Sequence, residues 1–96
     1  MANTMILIEV SLERERQEAL CKAGKFPATC ADPKQPDTDK LPILIEEVGE
    51  VARAMCEAIG ATDVQSSGLR TELVQVAAVA VAWIEAIDAR RAVPNG

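Results

Sequence analysis

The chain has 96 residues, 49% of them hydrophobic, and its 15 acidic against 10 basic side chains give a formal charge of −5. That length makes one domain near the lower end of what buries a self-sufficient core, so association between copies is expected. The negative balance, with no basic cluster, excludes a nucleic-acid partner. The absence of His and the irregular spacing of Cys21, Cys30 and Cys56 argue against a zinc site or a closed disulfide framework.

From Asn3 onward, Ile6, Ile8, Val10 and Leu12 alternate as a half-buried strand would. The continuation, Leu12-Glu13-Arg14-Glu15-Arg16-Gln17-Glu18-Ala19-Leu20, is rich in strong helix formers and decides for a helix over about 4–23, with Gly24 as its stop. The apolar run Met5 to Ile8 lacks the basic start and small-residue cleavage site of a secretory signal.

Residues 24–40 carry Pro27, Pro33 and Pro36 among Asp, Thr and Lys, which predicts a loop. Connections of that length are usually functional or mobile. A second helix is expected over about 41–59, with Thr38 or Asp39 as cap, Pro42 near its first turn and Gly60 behind it. Leu44, Val48, Val51, Met55 and Ile59 fall at spacings of three and four and predict its buried stripe, with Glu47, Glu50, Arg53 and Glu57 off it.

The third helix is expected over about 67–90, before Pro94. Its middle, Leu73 to Ile84, is interrupted only by Gln75, and a helix without a polar face must be surrounded by protein. Trp83 reads as core or interface. The whole chain, 1–96, is thus expected to be a single all-α domain, an antiparallel bundle of three main helices whose core is completed by oligomerisation. The nine-residue run Val76 to Ile84 is far short of the roughly 20 that a membrane helix needs, so no membrane partner is expected and the location is read as cytoplasmic.

Glu47 and Glu50 lie three apart on one helix and Glu72 and Gln75 three apart on the next, so two pairs can face each other across an antiparallel hairpin. Oxygen-rich sets of this kind suit Mg²⁺ or Mn²⁺. The alternative is a solvated acidic face, with Glu50 paired to Arg53 and Glu72 favoured by the start of its helix. Gln75 weighs against it, because an amide leading into an all-apolar stretch needs a partner if buried.

The two segments Glu46-Glu47-Val48-Gly49-Glu50-Val51-Ala52-Arg53-Ala54 and Leu69-Arg70-Thr71-Glu72-Leu73-Val74-Gln75-Val76-Ala77-Ala78-Val79-Ala80 resemble the MazG-like nucleotide pyrophosphohydrolases. Glu13-Arg14-Glu15-Arg16-Gln17 is similar to the first helix of some members. The resemblance implies an all-helical homodimer or homotetramer and Mg²⁺-dependent cleavage of nucleoside triphosphates between the α and β phosphates, giving monophosphate and pyrophosphate. It implies metal binding by Glu47, Glu50 and Glu72, with Gln75 where the family usually has Asp. A Gln oxygen can still ligate but brings no charge, so metal affinity should fall. Glu46, about 100° round the helix from Glu47, would serve a second ion or the attacking water, and makes with Glu47 the catalytic pair. Lys25 and Arg53 are the nominated phosphate contacts. A nucleotide-binding or structural helical dimer that has lost turnover through Gln75 is the alternative.

Overall fold

The structure, a computed structural model, describes residues 3–25, 29–58 and 68–92. Over these residues it is all-helical: α1 spans Thr4–Lys22, α2 Asp37–Ala58 and α3 Leu69–Ala92. Among the described residues no helix is long and apolar enough to cross a membrane.

α1 starts where the sequence places it, with the Asn3 side chain accepting from the backbone N–H of Met5 (2.9 Å). It ends in the expected glycine turn: Gly24 adopts φ +78°, and the Lys25 N–H closes back on the Leu20 carbonyl (2.9 Å). Ile59 and Gly60, expected at the end of the second helix, lie outside the described residues.

α2 begins at Asp37, four residues earlier than expected, so Pro42 falls inside the helix rather than near its first turn. Tertiary contact explains the early start. The Asp37 carboxylate accepts from the Trp83 indole N–H (2.8 Å) and from Arg90 Nη2 (2.5 Å), which fastens the first residue of α2 to the last turns of α3. Asp37 and Asp39 also place negative charge in the first turn, where the backbone dipoles favour it. Both partners hold the Asp37 carboxyl below the usual carboxylate range, Arg90 more than Trp83.

α3 is the centre of the fold, since α1 and α2 both pack on it rather than on each other. Its packed face is a ladder of small residues. Ala78, Ala82 and Ala86 are wholly buried at four-residue spacing, which lets neighbouring backbones come close. Val79 and Ala82 join Cys30 in one cluster that Ala31, Ile43 and Leu44 cover. α2 runs antiparallel to α3, because Asp37 meets the last turns of α3 while Ile43 and Leu44 meet Val79, nearer its start.

The buried face of α2 shares only Leu44 and Val51 with the stripe that its apolar spacing picks out. Lys40 and Ala54 are buried and Ile43, Leu44, Glu47 and Val51 half-buried, whereas Val48 and Met55 are exposed. Two apolar stripes wind along this helix, and the second, Leu41, Ile45, Val48 and Met55, is left bare. The reason lies in Lys40, whose buried ammonium donates to the Asp32 carbonyl (2.8 Å) and turns its own side of α2 inward.

α1 is held differently, by charge. Arg14, only 6% exposed, donates from Nε and Nη2 to the two oxygens of Glu85 on α3 (3.2 and 2.8 Å), from Nη1 to Gln17 (3.0 Å) and from Nη2 to Glu18 (2.7 Å). Arg70 on α3 grips Glu9 with both terminal nitrogens (2.6 and 2.7 Å). Meanwhile Met5, Ile8 and Leu12, spaced as one helical stripe, face outward.

Glu85→Ala takes from Arg14 its two-oxygen partner. Breaking a fully buried pair costs about 3–5 kcal/mol. The Glu85 side chain is 48% exposed, and water reduces the expected loss to about 2 kcal/mol. Urea unfolding at fixed protein concentration measures it, and an unchanged midpoint would mean that α1 is held by other contacts.

Candidate functional site

Because α1 and α2 meet α3 but not each other, a cleft of about 380 Å³ opens among the three helices and the segment before α2. α1 lines it with Glu13, Arg16 and Gln17, α2 with Ile43, Glu46 and Glu47, and α3 with Gln75 and Val79. Thr29, Cys30 and Gln35 come from the connecting segment. Each helical set follows the i, i+3, i+4 spacing that puts side chains on one face.

Glu47 is the focus of its electrostatics. Its Oε2 is buried and accepts no hydrogen bond, an uncommon state for a charged atom in a folded protein. Withdrawal from water pushes its carboxyl above the usual range, and the negative neighbours Glu72, Glu46, Glu50 and Glu13 push it the same way. The nearby cations are spent elsewhere. Arg16 is paired with Glu13 through two hydrogen bonds (2.8 and 2.7 Å), and Arg53 is paired with Glu50 and Glu57.

The sequence-derived residues are distributed unevenly over this geometry. Glu46, Glu47 and Gln75 line the cleft together. Glu72, half-buried one turn before Gln75 on α3, lies near enough to Glu47 to repel it but is not part of the wall. Glu50 turns to Arg53. Among the described residues no three His, Cys, Asp or Glu side chains stand grouped as a ligand set. Lys25 is exposed at the end of α1 and Arg53 on the outer side of α2, and neither lines the cleft. Their distance from it has a plain cause: Lys25 belongs to the turn that ends α1, and Arg53 bridges acidic neighbours along its own helix.

Comparison of the chain with family models, with curated proteins and with solved structures finds no match. The functional reading therefore rests on the cleft and on the motif spacing.

Several cleft residues did not announce themselves in the sequence. Glu13, Arg16 and Gln17 share a helical face that spacing alone reveals, but nothing marked that face as turned towards α2 rather than solvent. Thr29, Cys30 and Gln35 carry no periodic signal. The Cys30 thiol, 5% exposed, is pushed up by burial and is thus a poor nucleophile. With Cys21 and Cys56 it is free, as the sequence leads one to expect.

Glu47→Gln replaces a desolvated, repelled carboxylate by a neutral side chain of the same shape. At neutral pH, without divalent ions, the variant should melt higher than the parent by about 4 °C, the shift that roughly 1 kcal/mol produces in a domain of this size. A lower midpoint in a thermal scan would mean that Glu47 has a stabilising partner in the free protein.

Proposed function

We propose that this protein is a Mg²⁺-dependent nucleoside triphosphate pyrophosphohydrolase of the MazG-like kind, and the observation that carries the reading is the unpartnered buried oxygen of Glu47 among acidic neighbours. The mutual repulsion that Glu46, Glu50 and Glu72 exert on Glu47 is a cost that a divalent cation removes. Glu47 and Glu50 of α2 with Glu72 and Gln75 of α3 would hold Mg²⁺, or Mn²⁺ in its place. For Glu50 this requires leaving Arg53, an exposed pair that contributes little to stability. When bound, the ion supplies charge neutralisation of the triphosphate and polarisation of the α phosphate.

The chain's own residues supply the rest. Glu46 and Glu47, adjacent on the cleft wall, orient a water molecule towards the α phosphorus and take its proton. The water oxygen bonds to phosphorus as the bond to the α,β-bridging oxygen breaks, so pyrophosphate leaves and the monophosphate remains. Arg16 is the cation that the wall itself offers to the phosphates, in place of Lys25 and Arg53.

The second reading, a nucleotide-binding or structural helical assembly without turnover, is favoured by one observation: Glu50 is engaged by Arg53, and position 75 adds no charge to replace it. Release of pyrophosphate from a nucleotide panel with Mg²⁺ or Mn²⁺ separates the two. Gln75→Asp should raise the rate and lower the Mg²⁺ needed for half-maximal rate about tenfold, the effect of roughly 1.4 kcal/mol from one recovered charge. No pyrophosphate from either form at any metal concentration would leave the second reading standing.

A homodimer or homotetramer is part of the proposal. Leu41, Ile45, Val48 and Met55 on α2 and Leu73, Val81 and Ile84 on α3 remain exposed in the single chain, more apolar surface than a monomer usually shows to water. Free thiols support a reducing compartment such as the cytoplasm. In sedimentation at micromolar concentration the parent should run as a dimer or tetramer, and Ile45→Glu with Val48→Glu as a monomer. A monomeric parent would show that these stripes have no partner copy.

A further inference from the structure

Arg16 is paired, but along one edge of its guanidinium only. Its Nε and Nη2 donate to the two oxygens of Glu13 (2.8 and 2.7 Å), one turn back on α1. The planar fork carries five N–H donors, so this side-on grip leaves both hydrogens of Nη1 and the second hydrogen of Nη2 unengaged. Among the described residues they meet no acceptor.

The two partners differ in their access to water. The Glu13 side chain is 13% exposed and that of Arg16 54%. Glu13 is thus set into the wall with both oxygens bonded, while the guanidinium stands out from it on the lining of the cleft. Clamping one edge fixes the plane of the other, and a pair of donors ordered in advance loses less freedom when a ligand arrives.

The surroundings define that ligand. Arg16 is the cation among the lining residues, and Glu13, Glu46 and Glu47 are the acids. The Arg16 guanidinium is pushed up chiefly by its bonds to Glu13 and more weakly by Glu47 of α2, so the fork stands within electrostatic range of the acidic wall. Two parallel N–H donors on a fixed plane match two oxygens of one phosphate group. The acids favour a phosphate that arrives with a divalent cation, because the cation offsets the repulsion between the two sets of oxygens.

We infer that Glu13 is a positioning residue, which holds the Arg16 guanidinium so that its Nη1 and Nη2 edge receives the polyphosphate arm of a nucleotide. The inference rests on the nucleotide reading above, but not on turnover. Glu13 itself touches no ligand. It acts through Arg16, so its loss weakens binding only while the guanidinium is there to be held.

The test is a double-mutant cycle on binding. The α,β-methylene triphosphates of the common nucleosides are titrated calorimetrically with Mg²⁺ into the full chain, and the tightest is carried through Glu13→Gln, Arg16→Ala and the double variant. Glu13→Gln should weaken binding about fivefold, the effect of ordering one long side chain at the moment of binding. Arg16→Ala should weaken it about thirtyfold, the loss of a charged two-point contact. The double variant should bind as Arg16→Ala does. Tighter or unchanged binding by Glu13→Gln overturns the inference, as does an equal loss with and without Arg16, which would mark a structural role or a bare charge effect. Should Glu13→Gln fail to fold, Arg16→Lys decides: it keeps the charge without the second edge and should bind about tenfold more weakly than the parent, and equal affinity overturns the inference. Coupling between the two residues without pyrophosphate release from ordinary triphosphates supports positioning while refuting the hydrolase. Pyrophosphate release without coupling refutes positioning alone, and no nucleotide binding by the parent refutes both.

Discussion

The contact on which the arrangement most depends is the grip of Arg14 on Glu85. α1 has no packing partner among the described elements except α3, and the face it turns to α3 buries Val10 and a guanidinium rather than a full apolar stripe. Area burial alone would hold such a helix weakly. The guanidinium compensates by serving several partners at once, since its planar fork meets Glu85 with two nitrogens and still reaches Gln17 and Glu18. Glu18 passes the constraint to Thr29, so one buried cation orders a helix and the segment that walls the cleft. The Glu18 carboxyl is held below its ordinary range chiefly by Arg14, and the Arg14 guanidinium is pushed up chiefly by Glu85, which makes the network self-consistent near neutral pH.

The helices were legible because helix formation is largely local. The run from Leu12 to Leu20, the glycine turn at Gly24 and the apolar stretch around Val79 each carry their own signal, and α1 and α3 fall within two residues of the expected limits. What was not legible depended on distant contacts. The start of α2 is set by Trp83 and Arg90, dozens of residues away, and no pattern near Asp37 reveals them. The inward face of α2 posed a subtler problem. Both of its stripes are apolar enough to be buried, and the one chosen carries Lys40 and Glu47, which a reading by hydrophobicity assigns to solvent.

The acidic residues divide along the same line. Spacing sets Glu47 and Glu50 on one helix against Glu72 and Gln75 on the next, and of these four Glu47 and Gln75 line the cleft, with Glu46 beside them. It could not say which carboxylate would be drawn off by a neighbouring cation. Glu50 is drawn off and Glu47 is not, although both sit on the same helix one turn apart. The difference is access: Glu50 faces the exposed guanidinium of Arg53, whereas Glu47 is half-buried among other acids, and the cation in its range, Arg16, is hydrogen-bonded to Glu13.

The alanine ladder of α3 has a bearing on the cleft that its position in the core conceals. Ala78, Ala82 and Ala86 have no side chain beyond a methyl group, so the distance at which neighbouring helices ride over α3 is set by backbone and Cβ atoms. The cleft lies between the two helices that ride there, and its width is therefore gauged from beneath, by residues that no ligand touches. A chain of this design can change the size of what it admits by adding or removing methyl groups along the ladder, leaving every polar group on the wall as it was.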